Sequence, residues 1–190
     1  MINSIAVYCG ANQGSEPIYA DQAQALVRVL SESNITLING GGSVGLMGVM
    51  ADEMLKRNGK VIGVIPSFMM PWEVGHTGIT ELIQVEDMHA RKLKMMDLSD
   101  GFVALPGGMG TLEELFEVLC WAQLKLHTKP IGILNTAGFF NPLLQMLDQM
   151  VKRGFLNSNN RSLLICEEDP EALIGTMQEY KPIVETKWVK

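Results

Sequence analysis

Cysteine is scarce in this 190-residue chain: Cys9, Cys120 and Cys166 are odd in number and far apart. That excludes a disulfide framework and a Cys-x-x-Cys metal or redox pair. Histidine is as sparse, and His76, His89 and His127 lack zinc-ligand spacing. Basic residues are outnumbered, 15 Lys and Arg against 21 Asp and Glu, for a formal net charge of −6. A nucleic-acid partner is therefore not expected, because such binding rests on clustered cations. A small anion needs only a local group of donors and is left open. No apolar run approaches the length of a membrane span. Met1-Ile2-Asn3-Ser4 leads straight into an apparent strand without leader features, so a cytoplasmic protein without a membrane partner is expected.

What is present has the composition of a globular domain, 47% hydrophobic and 19% charged. A chain of this length can bury roughly 70% of its unfolded surface around one core, so a single domain over 1–190 is expected. Short apolar runs at 5–9, 35–38, 61–65, 82–85, 101–105, 130–134 and 163–166 read as buried strands. Segments with helical spacing lie between and after them: 16–33, 46–57, a helix capped by Asp87 and running through Met96, 111–126, 139–152 and 170–180. Asn58-Gly59 stops the second helix, and Pro170 opens the last. This alternation predicts a Rossmann-like, doubly wound α/β fold, a parallel sheet flanked by helices. Strand order is not readable from it. The interval 67–80 holds Pro71, Gly75 and Gly78 without a clear period and is expected to be a long loop over the site.

The stretch 101–115, GFVALPGGMGTLEEL, changes character twice. A buried-strand pattern ends at Pro106, Gly107, Gly108 and Gly110 let the backbone turn, and a helical pattern begins at Thr111. In an open α/β sheet such a junction aims free amide N–H groups and the positive end of a helix at the space beyond the strand, which suits a phosphate. Spacing alone also allows a purely geometric turn, and Thr111-Leu112-Glu113-Glu114 fits a capping box in which Thr111 caps the helix and Glu114 reaches back. Glu113, Glu114 and Glu117 all project off the apolar face. A carboxylate beside an anion site is repulsive unless it has chemistry to do there, which brings glycosidic cleavage or proton transfer into view.

Gly40-Gly41-Gly42-Ser43-Val44-Gly45 fits G-x-G-x-x-G after a strand. The acid expected about 20 positions on, to hold a ribose hydroxyl, is absent near Ile65-Pro66. No glycine turn is followed by Lys-Ser or Lys-Thr, so a Walker site is absent too. A tight turn packed against its helix, or one abutting a ligand held elsewhere, accounts for the glycines. Met88-His89-Ala90-Arg91-Lys92 puts two cations near a helix start; on residue type alone these are a solvated face, and His89 a structural side chain.

Taken together, Met88-His89-Ala90-Arg91-Lys92 and Pro106-Gly107-Gly108-Met109-Gly110-Thr111-Leu112-Glu113-Glu114 resemble the paired signature of the LOG (Lonely Guy) family. These are cytokinin riboside 5′-monophosphate phosphoribohydrolases, often mislabelled lysine decarboxylases. The likeness extends to Cys9-Gly10, Gly40-Gly41-Gly42 with Gly45-Leu46-Met47-Gly48, and Trp121-Ala122-Gln123-Leu124 with Lys129-Pro130, so it spans most of the chain. It implies that Arg91 and Glu114 are the catalytic pair, that Lys92 helps bind the nucleotide, and that Gly107, Gly108, Met109, Gly110 and Thr111 hold its 5′-phosphate. Glu73 matches a substrate-contacting acid, Met88 and Glu113 adjoin the substrate, and Cys120 stands where plant members commonly carry threonine. Met109 replaces a frequent aromatic, Lys125 a glycine, and Ala11-Asn12 stand where serines are common. The implied reaction releases a purine base and ribose 5-phosphate from AMP or an N6-modified AMP, with no metal or redox cofactor, in a homodimer or larger homo-oligomer. The competing expectation is a non-catalytic nucleotide or molybdenum-cofactor carrier on the same fold.

Overall fold

Residues 1–70 and 75–182 are described in the computed structural model. Seven strands, β1 (Ser4–Tyr8), β2 (Thr36–Asn39), β3 (Val61–Pro66), β4 (Glu81–Val85), β5 (Gly101–Ala104), β6 (Ile131–Leu134) and β7 (Leu164–Glu167), form one sheet in the order β4-β3-β2-β1-β5-β6-β7. Every pairing in it is parallel. The chain winds outward from β1 to β4, returns to the centre, and winds the other way from β5 to β7. This is the expected doubly wound fold.

The described helices are α1 (Pro17–Glu32), α2 (Gly45–Lys56), α3 (Met88–Leu98), α4 (Met109–Gln123), α5 (Asn141–Lys152), α6 (Ser158–Arg161) and α7 (Pro170–Glu179). Because successive strand residues point to opposite faces, each strand feeds two cores. Ile5, Val7, Leu37, Val61, Val103 and Leu134 pack under α1, α2 and α7, whereas Ala6, Tyr8, Ile38, Val64, Phe102, Ala104 and Ile133 pack under α3, α4 and α5. A three-layer sandwich results. No helix among the described residues is long and apolar enough to cross a membrane.

Strand boundaries fall within a residue or two of those expected, and Asn58, at φ 57°, does end α2 in the left-handed conformation, with Gly59 N–H donating to the Met54 carbonyl at 2.9 Å. Three segments differ. The helix expected over 139–152 starts two residues later, as α5, behind a 3-10 turn at Thr136–Gly138 in which Ala137 and Gly138 take positive φ (52° and 71°). The short α6 has too few residues for a periodic signal; Asn157 caps it by accepting the Asn160 N–H at 2.6 Å. In the 67–80 interval, Ser67–Met69 is a 3-10 turn, and the segment is tied down further on, with Gly75 bridging Gly42 and His76 N–H donating to the Gly41 carbonyl at 2.9 Å.

The order of strands decides where a ligand fits. β1 and β5 are neighbours, paired through Tyr8 and Ala104, but the connections after them depart to opposite faces, which makes their C-terminal ends the switch point of the sheet. The helix returning from β4 to β5, α3, is fixed at its start by Asp87, whose Oδ1 accepts the Ala90 N–H at 2.8 Å. Asp87→Ala removes that cap and should cost about 1 kcal/mol, lowering the melting temperature by about 2–4 °C, as read by circular dichroism.

Candidate active site

Beyond their last paired residues, β1 and β5 stay in contact: Leu105 N–H donates to the Tyr8 carbonyl at 2.9 Å and Gly10 N–H to the Pro106 carbonyl at 3.1 Å. Gly107 then passes so close that a Cβ there would overlap Thr111 Oγ1 and lie 2.8 Å from Gly10 N. Glycine is required at this point by space. Across the crevice Gly45, at φ 63°, presses against the Ala11 backbone, which brings the start of α2 under the same loop.

The start of α4 corrects the capping box. The helix begins at Met109, two residues before the expected Thr111, with Gly108 as its N-cap and no side chain capping it. Thr111 is buried inside the first turn, 3% exposed, so it cannot cap the helix, and Glu113 and Glu114 fall into the second turn. Capping propensity misplaced the start because glycine, having no side chain, leaves no capping signature. The consequence is chemical. The first-turn amides carry no side-chain cap, and the space where Cβ atoms of Gly108 and Gly110 would lie is open, as an anion site needs.

A cavity of about 490 Å³ opens over this helix start. Among its walls are Gly10, Gly40, Gly107, Gly108, Gly110 and Thr111. Arg91 enters it from α3, only 5% exposed. Its guanidinium fits because residue 40 is glycine; a Cβ there would overlap Nη2. Nη2 lies 3.8 Å from Glu114 Oε1, and Nη1 lies 3.9 and 3.8 Å from the sulfurs of Met69 and Met88. Nε is buried with no hydrogen-bond partner among the described residues. A guanidinium so buried and so thinly satisfied is poised to receive a ligand.

Beside it, Lys92 donates to Glu113 Oε1 at 2.6 Å and lies 3.0 Å from Glu117 Oε1. Burial opposes its charge, but hydrogen bonds to Glu113 and Glu117 outweigh burial and hold its ammonium above the ordinary lysine value. Tyr8, stacked on Phe102 at 6.2 Å and 8°, lines the cavity from below. Burial first, then the charges of Glu114 and Glu117, push its phenol well above the ordinary tyrosine value, so it persists as a neutral donor.

Of the residues expected from sequence, Met88, Arg91, Gly107, Gly108, Gly110, Thr111, Glu113 and Glu114 share this one cavity. Lys92 is absent from its lining, Met109 is 90% exposed at the mouth of α4, and Cys120 is exposed further along that helix. Glu73 lies outside the described residues. Sequence reasoning missed Tyr8, Met47, Met69, Tyr19 and Phe139, all cavity walls. Tyr19 and Phe139 meet edge to face at 6.2 Å and 80°. Tyr8 could have been found as the last residue of the central strand; Phe139 is placed by the positive φ angles before it, which no residue type announces.

An open helix start and a buried arginine–carboxylate pair, set at the switch point of a parallel sheet, define a Rossmann-like protein shaped for a small anionic ligand. Residues 47–177 match the family described as "Possible lysine decarboxylase". The chain is 46% identical over 178 residues, 94% of its length and 73% of the relative's, to an Oryza sativa subsp. japonica protein named "Probable cytokinin riboside 5'-monophosphate phosphoribohydrolase LOGL2". It is 44% identical over 182 residues, 96% and 85% of the two chains, to Arabidopsis thaliana "Cytokinin riboside 5'-monophosphate phosphoribohydrolase LOG4". The chain belongs to the LOG family, as its two motifs implied. The molybdenum cofactor binding protein of the phototrophic bacterium Rippkaea orientalis matches with a TM-score of 0.70 at 22% identity, over 94% of this chain and 97% of that one; this likeness is one of fold.

Gly107→Ala tests the close approach at the switch point. Neither the Gly10 backbone nor buried Thr111 can easily give way, so a loss of about 1–3 kcal/mol is expected from overpacking, measured as a lower denaturant midpoint.

Proposed function

We propose that this chain hydrolyses the N-glycosidic bond of a purine nucleoside 5′-monophosphate, AMP or an N6-modified AMP, releasing free base and ribose 5-phosphate. The observation that carries the reading is the convergence of Arg91 and Glu114 in the cavity that also holds the uncapped start of α4. The phosphate binds at the amides that open α4, between Gly107 and Thr111, and its binding energy orients the sugar. As the C1′–N9 bond breaks, positive charge develops on the ribose and negative charge on the base. Glu114 stabilises the ribose charge through its hydroxyls or orients the water; Arg91 offsets charge on the leaving base or fixes the nucleotide. Water delivers its hydroxyl to C1′ and a proton to the base. The thioether walls of Met47, Met69, Met88 and Met95 give an apolar, adaptable surface that suits a base bearing an N6 substituent.

Incubation with AMP and isopentenyl-AMP, followed by mass spectrometry of base and ribose 5-phosphate, tests the reaction. Arg91→Ala and Glu114→Gln should each lower release by about 100-fold or more while the fold is kept. Nucleotide recovered intact from wild-type protein would overturn hydrolysis in favour of a carrier.

A homodimer belongs to the same reading. Met109, Cys120 and Leu124 fall on one stripe of α4 and are exposed, Met109 by 90% and Leu124 by 54%; exposed Leu93 on α3 and Leu126 just beyond α4 add apolar surface. A second copy covering that stripe accounts for it. Among the described residues Cys9, Cys120 and Cys166 form no disulfide, which suits a reducing cytoplasm. Light scattering should give a dimer mass, and Leu124→Glu should shift it toward monomer; a wild-type monomer would refute the assembly.

A further inference from the structure

Among the polar side chains that line the cavity, Tyr8 has no part in the hydrolysis described above. It ends β1 on the sheet face that α3, α4 and α5 cover, and the Arg91–Glu114 pair joins α3 to α4 over that same face. Its ring is held flat on Phe102, 6.2 Å and 8° apart, and the residue is only 4% exposed. It nonetheless shares the cavity wall with Arg91 and Glu114. The charges of Glu114 and Glu117 act on its phenol and favour the protonated form, yet no hydrogen bond joins that phenol to any of the described residues. A buried tyrosine hydroxyl ordinarily has a partner. Here the partner has to come from the cavity.

With a phosphate at the start of α4 and the scissile bond beside Arg91 and Glu114, the sugar of a bound nucleotide spans the space between them, above Tyr8. A ribose hydroxyl that donates to Glu114 still has lone pairs to satisfy. A cation placed against them would offset the carboxylate, whereas a neutral phenol does not. Accepting a hydrogen bond from Tyr8 polarises that hydroxyl and strengthens the bond it donates to Glu114. The chain from phenol through ribose hydroxyl to carboxylate then bears on the sugar as positive charge develops there.

We propose that Tyr8 is a sugar-contacting residue whose hydroxyl donates to the ribose hydroxyl that in turn donates to Glu114, so that it selects for a sugar carrying that hydroxyl; the proposal rests on the nucleotide reading above. It follows that the phenol matters only while the bridging hydroxyl is present. Take that hydroxyl from the substrate, and the tyrosine becomes dispensable. A tyrosine that merely shapes the cavity floor has the opposite property, because its loss falls equally on every nucleotide.

The test follows base release from AMP, 2′-deoxy-AMP and 3′-deoxy-AMP by wild-type protein and by Tyr8→Phe, which keeps the ring on Phe102 and removes only the hydroxyl. On AMP, kcat/KM should fall about tenfold, whereas on the analogue that lacks the bridging hydroxyl it should stay within about twofold of wild type. The other analogue should lose as much as AMP does. Each ratio compares one substrate with itself, so the greater intrinsic lability of a deoxyribose glycosidic bond cancels. Lower kcat should carry most of the loss on AMP, because the hydrogen bond tightens as charge develops. An equal fall on all three substrates would make Tyr8 a structural residue and overturn the proposal, as would unaltered turnover of AMP by Tyr8→Phe. Failure of the wild type to release base from any of the three would instead bring down the hydrolysis reading itself.

Discussion

The site depends on two parallel strands that remain in contact after their ladder has ended. Hydrogen bonds from Leu105 to Tyr8 and from Gly10 to Pro106 carry β1 and β5 forward together, and the space left between the two departing backbones admits no side chain at Gly107. That closeness sets the first turn of α4 over the edge of the sheet with its amides uncapped. It also fixes how far Glu114, in the second turn, stands from the helix that carries Arg91. The fold supplies the geometry; the glycines permit it.

Much of this was readable from residue types alone. Strands buried on both faces leave uninterrupted apolar runs, so β1, β3 and β5 were located within a residue or two, and Asp87 and Asn58 marked helix ends through side-chain and backbone preferences that act locally. The limits were physical as well. Strand order depends on contacts distant in sequence, and nothing in the run 5–9 says that 101–105 lies beside it. The start of α4 was misplaced because Thr111 looks like a cap and Gly108 looks like nothing. In the chain Thr111 is instead a buried filler under Gly107.

The residues that line the cavity divide along the same line. Arg91 and Glu114 were named by motif resemblance, and the structure brings them within 3.8 Å of each other. Tyr8, Met69 and Phe139 carry no motif, and they reach the cavity only because the crossovers place the ends of β1, β3 and β6 along one edge. The glycines at 40–45 read as a tight turn or as a loop abutting a ligand held elsewhere; at Gly40 the absent Cβ is the room into which the Arg91 guanidinium extends. A glycine in a loop can thus be required by a side chain fifty residues away. Sequence spacing contains no trace of that dependence.

The arginine and the glutamate belong to different halves of the sheet. Arg91 rides on the helix that returns from β4, the edge of the first half, while Glu114 lies on the first helix of the half that begins with β5. Their meeting therefore registers how the two halves are docked, and neither half carries the pair by itself. A chain severed between α3 and β5 would yield two fragments, each with one member of the couple. Restored chemistry would report their reassembly, much as a split enzyme signals the joining of its pieces.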